Sequence, residues 1–278
     1  MVKRVKCVIC PHGCELAEGA IGLCGGRQNI GGHITPLNYG RVTSLALDPI
    51  EKKPLARFFP GNYILSVGGF GCNLHCPFCQ NHEISQVTDK QISVKPISAE
   101  ELVRLAQELA AQKPGNLGVA FTYNEPFINY EFVSDTAKLL RQAGLKTVLV
   151  TNGTVNEQPL RELLPYVDAL NIDVKGFTPE FYRWVQGDLT VVKRTVELAV
   201  EVAHVEITTL VIPGRNDSET EIIAIARWLA SLSPEIPLHL SRYFPRYQLD
   251  TPATDVKHIY TLADMARKYL RYVYTGNC

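Results

Sequence analysis

A chain of 278 residues is long enough to bury one large core, or a core with a small appended module. Its 28 lysines and arginines equal its 28 aspartates and glutamates, so no overall field draws it to nucleic acid or to anionic lipid, and its composition is neither disordered nor fibrous. No apolar run reaches membrane-spanning length, and the opening MVKRVKCVICPHGC meets cysteines before a signal-peptide core could form, so the expected compartment is the cytoplasm. Eight cysteines without a secretion signal point to metal or redox chemistry before disulfides.

In chain order, Cys7, Cys10, Cys14 and Cys24 crowd a first segment, and residues 1–60 are expected to form a Cys-rich module with its lead-in. From about residue 62 short apolar runs alternate with amphipathic stretches, the signature of a parallel sheet with crossover helices. The run 63–67 opens through glycines into Cys72, Cys76 and Cys79. A helix over 100–111 carries the capping box Ser98 and Glu101. Strand 117–122 and helix 132–142 follow, the helix stopping at Gly144. Strand 146–151 turns at Asn152-Gly153, and a short helix near 160–164 leads to strand 169–174. Helix 190–203 and strand 205–212 end at Pro213-Gly214. A second capping box, Ser218 and Glu221, opens a helix through Leu229, then come strand 237–241, helix 256–270 and a last β-run over 271–274. About six β/α units over 61–278 predict a partial, open (β/α)6 TIM-like barrel.

The stretch Gly71-Cys72-Asn73-Leu74-His75-Cys76-Pro77-Phe78-Cys79 stands directly after the first barrel strand. Three closely spaced thiolates can wrap a loop round one cubane and ligate three irons, leaving the fourth open, as catalytic metals keep an open position. In a barrel that loop lies at the C-terminal face, where active sites are built. The competing readings are a zinc site completed by His75 or His82, and a cluster used only for electron transfer. For the first segment, four thiols suit zinc first, a second cubane next and a disulfide pair third, with His12 a neighbour able to replace one cysteine.

The spacing CxxxCxxC with Phe78 before the last cysteine resembles the radical S-adenosylmethionine (SAM) superfamily. The resemblance continues along the barrel toward the pyruvate formate-lyase activating enzyme branch. Asn124 and Glu125, in Tyr123-Asn124-Glu125-Pro126, stand where that branch has Gly-Gly-Glu-Pro. Thr151-Asn152-Gly153 resembles its Asp-Thr-Asn-Gly with Val150 in the aspartate place. Asp173-Val174-Lys175 resembles Asp-Leu-Lys, and alternation puts Asp173 and Lys175 on one face. Ile212-Pro213-Gly214 resembles its Val-Pro-Gly loop. With the opening cysteines and Asp48-Pro-Ile-Glu-Lys-Lys-Pro-Leu55, nearly the whole chain resembles the radical SAM proteins of the AmmeMemoRadiSam system, many of which carry a further Cys-x-x-Cys pair beyond the Tyr-Thr-Gly-Asn that here precedes Cys278.

The resemblance implies a 4Fe–4S cluster on Cys72, Cys76 and Cys79. It implies S-adenosylmethionine contacted by Phe78, Asn124, Glu125, Asn152, Asp173, Lys175 and Pro213, and a one-electron donor of flavodoxin or ferredoxin type. It implies reductive cleavage to a 5′-deoxyadenosyl radical that takes hydrogen from a substrate, for which the open barrel side suits a protein or polymer. An activase placing a glycyl radical on a partner protein is the alternative. A non-enzymatic electron carrier is a third reading, with no use for Glu125, Asp173 and Lys175.

Overall fold

The computed structural model describes residues 4–88 and 92–278. Its amino-terminal segment folds as two short antiparallel pairs, β1 (Val5–Lys6) with β2 (Glu15–Leu16) and β3 (Arg27–Ile30) with β4 (His33–Pro36). β5 (Arg41–Val42) leads into β6 (Ser44–Pro49), which runs antiparallel to β7 (Tyr63–Gly68). After β7 come α1 (His82–Ser85), β8 (Lys95–Pro96), which pairs with β5, and α2 (Ala99–Ala110). The alternation then runs β9 (Gly118–Phe121), α3 (Tyr130–Gln142), β10 (Lys146–Thr151), α4 (Glu157–Leu163), β11 (Ala169–Asp173), α5 (Pro179–Trp184), α6 (Leu189–Ala199), β12 (His204–Val211), α7 (Glu219–Leu232), β13 (Leu238–Arg242), α8 (Val256–Ala266) and β14 (Val273–Gly276).

One eight-stranded sheet joins them in the order β14-β13-β12-β11-β10-β9-β7-β6. From β7 to β14 every pairing is parallel, and β6 and β14 form two free edges, so the barrel is partial and open as anticipated. Alternation sorts the residues of β7, β9, β10 and β11 between two cores. Leu65, Val67, Leu149, Leu170, Ile172 and Ile207 face the surrounding helices. Ile64, Ala120, Val148 and Ala169 face the lumen, where Ile50, Leu55 and Phe58 from the segment after β6 plug its lower end.

Several local expectations meet tertiary corrections. The capping box of α2 is present, Ser98 Oγ accepting the Glu101 N–H at 3.1 Å and Glu101 Oε2 the Ser98 N–H at 2.8 Å. The second is only half formed: Ser218 Oγ accepts the Glu221 N–H at 3.2 Å, but the Glu221 carboxylate turns away to accept the Phe177 N–H. β6 and α5 were not anticipated, and α8 ends at Ala266 rather than Leu270, which moves the last strand to Val273–Gly276. Among the described residues no helix is long and apolar enough to cross a membrane.

Candidate functional site at the barrel mouth

The loop after β7 carries Cys72, Cys76 and Cys79 at the C-terminal end of the parallel strands. The Cys79 N–H donates to the Cys76 carbonyl at 3.1 Å, a turn that turns this part of the loop back on itself. Cys72 Sγ accepts the Leu74 N–H at 3.4 Å and the Asn152 amide at 3.5 Å. Burial pushes the Cys72 thiol far above its ordinary range and raises Cys76 to about 12, although the Lys175 ammonium pulls Cys76 the other way. Thiols buried this way ionise only with a strong cationic partner, and a coordinated metal deprotonates its thiols outright.

That donor set fits a cubane. Among the described residues no three His, Cys, Asp or Glu side chains converge on a single ion; thiols for three corners of a cubane need not. His82, one candidate for a fourth zinc ligand, has Nδ1 3.3 Å from the Cys79 carbonyl and stacks on Tyr247 at 4.4 Å. His75 Nε2 is buried without a partner.

Glu125 is no exposed loop residue: it is 2% exposed. Its Oε1 accepts the Thr151 hydroxyl at 2.8 Å and the Phe127 N–H at 3.1 Å, and Oε2 accepts the Asn152 N–H at 2.9 Å. Burial still raises its carboxyl to about 7, against those three donors, with the charge of Asp173 adding to the rise. An ionised carboxylate offers about four acceptor positions, so one remains for a cationic ligand. Asn152 sits at the junction, its amide also donating to Asn73 Oδ1 at 2.9 Å.

Asp173 and Lys175 share a face as alternation requires, paired at 2.9 Å. Burial alone would lower Lys175, but Asp173 and the nearby Cys76 outweigh it and hold the ammonium charged. Asn124 works on backbone: its Oδ1 accepts the Gly69 N–H at 2.9 Å and its amide donates to the Phe70 and Gly71 carbonyls at 3.2 Å. The Phe78 ring is buried against Phe181 and Trp184, with centroids 6.1 and 5.3 Å away. Pro213 stands two residues past the end of β12, and the turn there is closed by Asn216 Oδ1 accepting the Ile212 N–H at 2.7 Å. The structure thus joins Cys72, Glu125 and Asn152 in one network and sets Asp173 and Lys175 beside Cys76. Asn124 shapes the approach to that loop, while Phe78 and Pro213 share no hydrogen bond or ring contact with the others.

Sequence reasoning missed Asn73, which is fully buried and donates to the Thr154 carbonyl at 2.6 Å. As an unspecified position between two cysteines it carried no signal. It also missed the use of Tyr123. This residue adopts φ +74°, the left-handed geometry a glycine would take, while its hydroxyl donates to Asp48 at 2.9 Å and the Lys53 ammonium lies 4.7 Å from its ring. The four opening cysteines form no disulfide in this structure; Cys7, Cys10, Cys14 and Cys24 line one small cavity.

The chain is 39% identical over 279 residues to an uncharacterized protein of Methanocaldococcus jannaschii, covering 99% of this chain and 81% of the other. It is 25% identical over 173 residues to the pyruvate formate-lyase-activating enzyme of Clostridium pasteurianum, covering 58% of this chain and 67% of that enzyme. Among solved structures, SuiB of Streptococcus suis superposes with a TM-score of 0.60 at 14% identity over 77% of this chain and 48% of its own, a likeness of fold. The pattern that defines the Radical SAM superfamily matches residues 66–226, from the strand before the cysteine triad into α7, and with the site at that barrel's mouth the chain belongs to this superfamily.

Proposed function

We propose that Cys72, Cys76 and Cys79 hold a 4Fe–4S cluster, and that Glu125, Asn152, Asp173 and Lys175 bind S-adenosylmethionine beside it, with Phe78, Asn124 and Pro213 bordering the pocket. One observation carries the reading: three buried or half-buried thiols on the loop after β7 stand at the barrel mouth with the Lys175 cation, after β11, and the Glu125 carboxylate, after β9, which keeps one acceptor position. Bound there, cluster and cofactor supply one-electron cleavage to a 5′-deoxyadenosyl radical, the chemistry general to this superfamily. The residues of the chain bind and orient. Glu125 offers its remaining acceptor position to the methionine ammonium, Lys175 faces the carboxylate, and Asn152 fixes Cys72 relative to Glu125. The substrate is a protein, a polymer or a small molecule that gives up hydrogen, and the electron arrives from a flavodoxin- or ferredoxin-type donor in the cytoplasm.

The relative named as an activating enzyme favours a second reading, in which the substrate is a glycine of a partner protein. We further assign residues 1–60 as a Cys-rich metal module with its lead-in and 61–278 as the catalytic barrel. The decisive experiment is anaerobic reconstitution with iron and sulfide, then dithionite and S-adenosylmethionine without substrate. Slow release of 5′-deoxyadenosine is expected, and none from the variant with all three triad cysteines changed to alanine. Equal release from that variant overturns the assignment.

A further inference from the structure

The module assignment leaves open what the amino-terminal cysteines do for the catalytic loop, and two observations bear on it. The first concerns Arg27, at the start of β3, which lines the same small cavity as Cys7, Cys10, Cys14 and Cys24 and is only 4% exposed. Its fork is taken: Nη1 donates to Glu131 Oε2 at 2.8 Å and to the Ile128 carbonyl at 3.2 Å, and Nη2 to Glu131 Oε1 at 2.6 Å. The remaining donor, Nε–H, is buried with no partner. A buried donor is rarely left unpaired, and one beside four thiols has sulfur as its natural acceptor once those sulfurs are thiolates. Four thiolates round one metal or one cluster carry net negative charge, and the Nε–H of the Glu131-paired guanidinium is a charge-assisted donor beside them. A salt bridge to Glu131 alone accounts for the fork and leaves Nε unexplained.

The second observation is the contact between this cavity and the loop of the triad. The Cys72 N–H donates to the Cys24 carbonyl at 3.1 Å. That approach requires Gly71, since a Cβ there would lie 2.5 Å from the Cys24 oxygen. His12 Nε2 lies 2.7 Å from the Asn73 carbonyl oxygen. Asn73 Oδ1 in turn accepts from Asn152, whose amide reaches Cys72. The cavity and the catalytic loop therefore share backbone and side-chain bonds at both Cys72 and Asn73.

We infer that Cys7, Cys10, Cys14 and Cys24 hold a four-thiolate metal centre, zinc or iron–sulfur, with Arg27 Nε as its outer donor, and that this centre braces the loop carrying Cys72. The four sulfurs do not already converge on one ion; the spare buried donor beside them points to the metal. The bracing role rests on the assignment of the triad as the catalytic cluster, whereas the metal centre itself does not. Partners that hydrogen-bond metal ligands typically contribute about 10–100-fold to metal affinity.

The test uses full-length protein loaded anaerobically with iron and sulfide, or with iron, sulfide and zinc, with iron and zinc counted per chain before and after a chelator challenge. The parent should hold metal beyond the triad cubane, and the triad-to-alanine variant should keep that extra metal. Arg27→Lys retains the charge but removes Nε, and should weaken retention of the extra metal by about 10–100-fold. If Arg27→Lys does not fold, the double variant Arg27→Met/Glu131→Leu replaces the buried pair with apolar side chains, a change proteins often tolerate; it should show the same loss. Cys10→Ser/Cys14→Ser should lose the extra metal and keep the cubane, with a weaker change in the cubane's electron paramagnetic resonance spectrum on adding S-adenosylmethionine. A parent with a cubane and no further metal overturns the centre. Retention equal to the parent's in the folded arginine variants overturns the role of Arg27, and an unchanged resonance response in the double-serine variant overturns the bracing. A parent without a cubane, but with metal that Cys10→Ser/Cys14→Ser loses, overturns the catalytic assignment alone.

Discussion

Two glutamates of this barrel are buried almost equally, Glu125 at 2% exposure and Glu206 at none, yet their surroundings drive them in opposite directions. Glu125 lies beyond the C-terminal end of β9 and meets neutral donors only, with Asp173 nearby, so burial prevails and its carboxyl rises to about 7. Glu206 lies near the N-terminal end of β12. Burial would raise it too, but His204 and His239 at 2.9 and 2.6 Å, and the N–H groups of Arg57 and Ala56 at 2.7 and 3.0 Å, bring it down to about 2. The lower carboxylate is saturated and ties the plug to the sheet. The upper one keeps an acceptor position and a poorly compensated charge, which is what a cationic ligand can use. Active sites at the C-terminal face and stability determinants at the other end are the general division in such barrels.

The largest effect expected from this contrast is on stability. Glu206→Ala strips two buried backbone N–H groups and two histidines of their acceptor, and should cost about 3–5 kcal/mol in urea unfolding. S-adenosylmethionine affinity of the folded cluster-loaded protein should stay near the parent's. A large loss of affinity there, without loss of stability, would reverse the roles assigned to the two ends.

Glu125→Gln should do the converse. Charge-assisted hydrogen bonds are worth about 1.5–3 kcal/mol, so calorimetry should show binding weaker by about 10–100-fold. Glutamine keeps an acceptor oxygen for the loop, which makes it a cleaner probe than alanine. Binding as tight as the parent's would mean that the carboxylate serves only Thr151, Asn152 and Phe127.

The two acids should also separate by pH in metal-free protein. Glu206 is lowered on folding, so its contribution is present above the unfolded value near 4.5 and is lost as pH falls toward 2. Glu125 is raised, so its contribution is present below 4.5 and is lost as pH rises through about 7. Glu206→Gln should flatten the acid limb of a stability–pH curve, and Glu125→Gln the limb between 4.5 and 7. Identical curves for both variants and the parent would remove the electrostatic half of the comparison.

Smaller effects lie between the ends. Asp173→Asn and Lys175→Met remove halves of one ion pair, so their combined effect on cofactor affinity should fall short of the sum by about 0.5–3 kcal/mol. Additive losses would show that the two side chains meet the ligand independently. Smallest is Tyr123→Phe, which deletes one hydrogen bond to Asp48 and should cost about 0.5–1.5 kcal/mol of stability, measured by denaturant midpoint.

Features that depend on neighbours in the chain were legible in the sequence. The spacing of Cys72, Cys76 and Cys79 after an apolar run, the box of Ser98 and Glu101, and strand Lys146–Thr151 follow from turn geometry and side-chain period, which the next few residues dictate. Asp173 and Lys175 were placed on one face for the same reason. Where a partner lies far along the chain, local pattern was silent. Glu221 satisfies half of a capping box by sequence but bonds Phe177 instead, 44 residues away. β6 is a strand because β7 pairs with it, and Asn73 and Arg27 take their roles from groups 79 to 104 residues distant. Glu206 reaches Ala56 across 150 residues. The sequence alone therefore determined the barrel's alternation and the loop that offers three thiols. Tertiary structure decided which carboxylate is saturated and which is left for a ligand, because the charge state of a buried group depends on the donors and charges packed around it, and here many of those come from distant parts of the chain.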